Sequence, residues 1–260
     1  MKIIYPNNVS FVYSDGVAEG YTLDALTDGH TKGLTLFNSS GATVVVSVLG
    51  GAGMLTVHNT NADSITATAY QGGYGMGITL ATGWTLQSGW TVVAPTAFDI
   101  DTSTDSLTGS TGDYYFDFAD QTDDCFVIVQ FSNSDGNDIY LGEICCGPVF
   151  SYRDPGYGIT ERISDYGINN PLPAGGRIYS KRNVARAFSI DLLEDRQIDT
   201  FEMLHEIALN LGGGATGFII ADKNVSNYQW VVFGYFSQPI QATHAYPDHS
   251  IITIDIEESV

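Results

Sequence analysis

The dipeptide His205-Glu206 opens the pattern H-E-x-x-H, in which two histidines one helical turn apart hold zinc and the glutamate acts as general base. The fifth position is Leu209, so the second metal histidine is missing and the pair reads as helix surface. His244 and His249 flank Pro247 with Asp248 adjacent, while His30 and His58 have no short-range partner. Two acidic stretches, DIDTSTD from Asp99 and SNSDGND ending at Asp138, supply the oxygens that Ca²⁺ prefers. Neither meets the twelve-residue loop with its glycine and terminal glutamate, so both read as solvated turns. No cofactor is expected. A Ca²⁺ ion bridging two subunits is physically sensible at this charge but has no specific motif. Glycoside hydrolysis needs two facing carboxylates, and thirty acidic residues single out no pair. No nucleophile elbow or P-loop is present, and the glycine cluster GGYGMG at 72–77 has no helix after it. The sequence therefore predicts a protein that is not an enzyme. Its remaining chemistry is aromatic and cationic. Trp84, Trp90, Tyr74 and Tyr114 could form a platform for a sugar, and Arg177, Arg182 and Arg186 could meet an acidic partner subunit.

The charge pattern narrows the partners. No lysine or arginine lies between Lys32 and Arg153, in a chain of formal net charge -20. Nucleic-acid binding requires cations to neutralise phosphates, and a polybasic membrane patch requires them too. Both partners are excluded for that stretch. The start MKIIYPNNVSF lacks the long apolar run of a secretory signal, and no apolar stretch reaches a membrane span, so a soluble chain made in the cytoplasm is expected. The three cysteines, Cys125, Cys145 and Cys146, read as buried free thiols, with a bridge from Cys125 to one of the adjacent pair left open.

Elements must position these groups, and the first half is patterned for strands. Short alternating runs rich in Val, Ile, Thr and Tyr are separated by Gly, Asn and Asp turns, which predicts a β-sandwich or barrel. Candidate strands are 9–13, 33–37, 43–49, 55–59, 64–70, 84–86, 90–94, 114–118, 125–131 and 139–145. The 55–59 and 64–70 runs look paired around NTNAD, and DQTDD reads as the turn of a hairpin between 114–118 and 125–131. Residues 99–113 read as an exposed loop. After Gly147-Pro148 basic residues return. Residues 1–150 hold sixteen acids and two bases, and 151–260 hold fourteen acids and eight bases. Residues 151–176 look irregular, and 177–192 reads as one long strand. The run TFEMLHEIAL places Phe201, Leu204, Ile207, Ala208 and Leu211 at helical spacing and should stop at the glycines 212–214. Strands at 217–221, 228–236 and 251–256 follow. The expectation is a mostly-β chain: an N-terminal jelly-roll sandwich over 1–147, then a smaller α+β domain over 148–260 with one helix on an antiparallel sheet.

The order of segments resembles a tail-associated virion protein of tailed bacteriophages, with a galactose-binding-like jelly roll first. The likeness is carried by the loop TLDALTDGHTKGLTL, the strands YYFDFADQTDDCFVIVQF and the step SDGNDIYLGEICCGPVF. In the second half it is carried by GGRIYSKRNVARAFSIDLLEDRQIDTFEML, GFIIAD, VVFGYFSQPI and ITIDIEE. The chain departs from that pattern at Tyr235 and Lys223. The resemblance implies a structural component of the phage tail, located in the virion. It also implies a homo-oligomer that contacts other phage structural proteins. A carbohydrate-binding module acting on host-surface glycans is the second reading, and a glycan depolymerase the third.

Overall fold

The computed structural model describes the chain except residues 32, 72–78, 81–83, 86–90, 94–95, 100–111, 119–123, 153–157, 172–176, 181–183, 196–199, 223–227, 244–248 and 260. Among the described residues it is a stack of antiparallel sheets covered on one side by the α-helix Thr200–Leu211. The outer sheet has five strands in the order Val9–Ser14, Gly41–Val48, Cys125–Ser132, Ser64–Gln71 and Thr91–Val93. The middle sheet has four, Thr96–Asp99, Gly112–Asp117, Met54–Thr60 and Glu143–Gly147. The large sheet runs Val149–Ser151, Lys2–Ile4, Thr216–Asp222, Tyr228–Phe236, His249–Glu258, Val184–Asp195 and Ile159–Asp165, with Gln241–Thr243 beside His249–Glu258.

Alternation along the strands decides which layers touch. Val44, Val46, Val48, Val127, Val129 and Phe131 of the outer sheet share one apolar core with Leu55, Val57, Phe116, Ile144 and Cys146 of the middle sheet. The residues of opposite parity on the middle sheet, Met54, Tyr115 and Cys145, pack against Ile4, Ile219, Val231 and Phe233 of the large sheet. The middle sheet is thus buried on both faces. That explains why Met54–Thr60 and Glu143–Gly147 are almost continuously buried rather than alternating. Gly217 marks how close the approach is. A Cβ there would lie 2.8 Å from Thr56 Oγ1 and 3.0 Å from Ile4 Cδ1, so a larger residue would wedge the layers apart. The far face of the large sheet buries Phe188, Ile190, Leu192, Phe218, Ile220, Val232, Ile252, Ile254 and Ile256 under the helix Thr200–Leu211. Leu204 and Ile207 are the helix residues most deeply buried, and Gly212 and Gly213 end it with positive φ.

Several sequence expectations are corrected here. DQTDD does not turn a hairpin: Gly112–Asp117 belongs to the middle sheet and Cys125–Ser132 to the outer one. The 55–59 and 64–70 runs are likewise in different sheets, because consecutive strands cross between layers to bury both inner faces. The stretch taken as irregular contains Ile159–Asp165 and Ile168–Pro171. The single long strand expected from 177 is two, Arg177–Ser180 and Val184–Asp195, each pairing back with one of these. Residues 112–113, read as the end of a loop, begin the strand Gly112–Asp117, and Thr96–Asp99 pairs with it. The first strand, Lys2–Ile4, lies between Val149–Ser151 and Thr216–Asp222 in the large sheet. Lys2 also forms an ion pair with Asp117 of the middle sheet.

Candidate functional site

Two places concentrate polar or aromatic groups: a cluster between the middle and large sheets, and the face of the outer sheet turned away from the middle sheet. The cluster starts from a bulge. Between Gly112↔Thr60 and Tyr114↔Val57 the strand Met54–Thr60 carries one residue more than its partner, and Asn59 takes φ 55 to absorb it. The bulge puts Asp113 Oδ1 3.4 Å from His58 Nδ1 and 3.0 Å from the Asn59 amide that donates to it. Asp113 Oδ2 accepts from Arg186 at 3.3 Å, and Arg186 also donates to Glu258 at 2.9 Å. Burial pushes the Asp113 carboxyl up, but the hydrogen bond and charge of His58, the charge of Arg186 and the Asn59 amide together hold it below the usual carboxylate range. Arg186 is raised above its ordinary range. Its burial is outweighed first by Glu258 and then by Asp113 and Glu161.

Beside this cluster the loop at 28–31 is tied down by both the middle sheet and the chain's end. Asn59 Nδ2 donates to the Thr31 carbonyl at 2.6 Å, Thr31 Oγ1 donates to the Ser259 carbonyl at 2.8 Å, and Ser259 Oγ donates to the Gly29 carbonyl. Gly142 is required for that approach, since a Cβ there would lie 2.1 Å from the Thr31 carbonyl oxygen. Glu143 follows it directly. Its carboxyl is only 1% exposed, and burial first, then the charge of Asp28, pushes it up to about 9 despite hydrogen bonds from the Gly29 and His30 amides. Glu143 Oε2 and His58 Nε2 are both buried without a hydrogen-bond partner. Two carboxylates beside loop carbonyls are hard-oxygen donors of the kind Ca²⁺ takes. Among the described residues, however, no three His, Cys, Asp or Glu side chains form a metal-holding group. His58 is 1% exposed, while the Asp113 side chain is 16% exposed. The sequence offered Arg186 as a subunit contact and His58 as a histidine without a short-range partner, and it did not bring the cluster together because the partners lie 28 to 230 positions apart.

The outer sheet presents the second place. Residues of opposite parity to its core form three cross-strand rows: Tyr70, Phe126 and Ser47; Thr68, Ile128 and Val45; Thr66, Gln130 and Thr43. Val45 is buried. Thr66 and Gln130 are exposed, and the other six are half-buried. Thr66 Oγ1 lies 3.5 Å from Gln130 Oε1. At ordinary strand spacing the rows cover about 10 Å by about 14 Å. They hold aromatic rings, hydroxyls and one amide, and no carboxylate or cation.

The residues singled out from sequence are distributed differently. Tyr114 is half-buried against the core between the outer and middle sheets, and its hydroxyl donates to the Ala62 carbonyl at 2.9 Å. Trp84 lies on the strand Trp84–Thr85, paired with Thr79–Leu80. Tyr74 and Trp90 lie outside the described residues, as does Arg182. Arg177 lies on Arg177–Ser180, opposite Pro171. Arg186 is engaged inside the chain rather than presented to a neighbour. His205 is exposed on the helix with its ring 5.9 Å from that of Phe201, and it lines a shallow groove with Leu209, Phe236, Pro239 and Ile240. The three cysteines are free and buried, with Cys145 and Cys146 on opposite faces of their strand.

No family model matches the chain. No curated protein matches it either. Among solved structures it is similar to a chain from the multifunctional β-galactosidase BgaA of Streptococcus pneumoniae, at 12% identity, covering 55% of this chain and 98% of that one with a TM-score of 0.36. That structure is of a bacterial enzyme and not of a phage particle, and the expected role as a phage-tail structural component is withdrawn. At this identity and TM-score nothing else about the chain follows from the match.

Proposed function

We propose that the chain is a non-catalytic carbohydrate-binding module, and that it binds a neutral glycan on the face of its outer sheet turned away from the middle sheet. The observation that carries this reading is the uncharged surface formed by Tyr70, Phe126, Ile128, Thr43, Ser47, Thr66, Thr68 and Gln130. A sugar ring has apolar C–H faces and a rim of hydroxyls. Aromatic side chains accept the first, and Thr, Ser and Gln exchange hydrogen bonds with the second. A phosphate or sulfate ester would find no cation there. In this reading the outer and middle sheets form the jelly-roll sandwich, and the large sheet with its helix serves as its support.

A glycan array tests the proposal. The expected result is selective binding to neutral oligosaccharides that Tyr70→Ala and Phe126→Ala each weaken at least tenfold, while both variants keep the wild-type melting temperature within a few degrees. Binding confined to anionic glycans, or unchanged in both variants, overturns it.

A further inference from the structure

Cys125 and Cys146 reach one core from opposite sides. Cys125 opens the strand Cys125–Ser132 of the outer sheet, level with Val48 of the neighbouring strand. Cys146 lies on Glu143–Gly147 of the middle sheet, opposite Leu55. Both side chains belong to the apolar core between these two sheets and are fully buried. The segment 49–53, which carries the chain from the outer sheet to the middle one, ties the two together. The Ala52 amide donates to the Cys125 sulfur. The next amide, that of Gly53, donates at 2.9 Å to the carbonyl of Gly147, the residue after Cys146. Cys125 also bears on the ionisation of Cys146 more strongly than Cys145 does, although Cys145 is its neighbour in sequence. Cys145 itself is on the wrong side. Its side chain points to the other face of the strand, packs with Ile4 and Ile219, and has Sγ 3.8 Å from Thr216 Oγ1. The middle sheet stands between it and Cys125.

We infer that Cys125 and Cys146 form a disulfide joining the outer and middle sheets when the chain folds in the presence of a low-molecular-weight disulfide such as oxidised glutathione. One of the two cysteines, as its thiolate, attacks the small disulfide, whose S–S bond breaks as a mixed disulfide forms and one small thiolate leaves. The other cysteine then attacks the protein sulfur of that mixed disulfide, the Cys125–Cys146 bond forms, and the second small thiolate leaves. The chain gives up two electrons and two protons, and the reagent takes them up as two thiols. Burial sets the timing. In the folded, reduced chain both sulfurs are out of reach, so the exchange belongs to the chain that is still folding. Once made, the bridge closes a loop over residues 126–145 and restricts the unfolded chain. It also pins the start of the strand that carries Phe126, Ile128 and Gln130 to the middle sheet. The inference rests on the core alone and is independent of the glycan reading.

Peptide mapping without reductant tests this, on the full chain refolded from urea in a mixture of reduced and oxidised glutathione at pH 8. The expected product has one linked peptide pair, Cys125 with Cys146, and Cys145 free. Cys145→Ala should form the same bridge, and Cys146→Ala should form none rather than divert Cys125 to Cys145. The bridged chain should melt roughly 5–10 °C above the same chain reduced. If the chain does not refold from urea, the same mapping on chain made by cell-free synthesis in that mixture decides the matter. Folded chain with all three thiols free, or carrying only mixed disulfides with glutathione, overturns the inference. So does a bridge from Cys125 to Cys145, or a bridged chain that melts no higher than the reduced one.

Discussion

Burial moves Glu143 well away from its ordinary chemistry. In the unfolded chain it ionises near the usual carboxylate value of 4.5, and in the fold it keeps its proton to about 9. The native state therefore binds more protons across that window, so this group lowers stability progressively as pH rises from about 4.5 to 9. The steepest slope one such group can give is about 1.4 kcal/mol per pH unit. Glu143→Gln cannot titrate. In EDTA-containing buffer it should match the wild type near pH 4 and exceed it increasingly towards pH 9, as read by urea unfolding at stepped pH. A constant difference across the window would mean that Glu143 is ionised in the fold. The cysteines make a second prediction of the same kind. Burial raises Cys125 to about 11 and Cys145 to about 12, and raises Cys146 too, so little thiolate exists near neutrality. Native protein should leave all three unmodified by a thiol-disulfide reagent over an hour at pH 7.5, and urea should expose all three. Rapid labelling of the native chain would contradict the burial described here.

Elements were read from sequence with unequal success, and the reasons are physical. The helix was legible because Phe201, Leu204, Ile207 and Ala208 fall on one face and three glycines end it. Tyr228–Phe236 and Ser64–Gln71 were legible because their composition suits only strand. Pairing was not legible. The chain crosses from the middle sheet to the outer one between Phe116 and Cys125, and a local turn signal such as DQTDD does not distinguish a hairpin from a crossing. The cluster between the middle and large sheets was hidden for the same reason, since His58, Asp113, Glu143 and Arg186 meet only through long-range pairing. The face of the outer sheet turned away from the middle sheet was hidden in another way: Thr and Gln in alternation look like any solvated strand until three strands set them side by side. Gly142 tests the element-level account. Gly142→Ala would drive a methyl group into the Thr31 carbonyl, so the 28–31 loop must shift and its ties to Asn59 and Ser259 must break. The expected cost is about 3 kcal/mol in denaturant unfolding. A change under about 0.5 kcal/mol would show that the loop is not held there.

At the scale of the whole molecule, the layered arrangement separates three tasks. The middle sheet packs against a neighbour on each face. The large sheet carries the helix on one side and ends at the strand Ile159–Asp165. On the outer sheet the three cross-strand rows turned away from the middle sheet carry no charge, in a chain of formal net charge -20. A surface kept free of charge in such a context is suited to a neutral ligand, and this is the central claim. Its most direct test is a backbone-amide NMR titration of the chain with neutral hexose oligosaccharides of three to four units. The account predicts saturable shifts confined to residues 43–47, 64–71 and 126–130, lost in Tyr70→Ala. Shifts that map to any other surface, or no shift up to 10 mM of any such oligosaccharide (about the weakest binding the face would give), would contradict it.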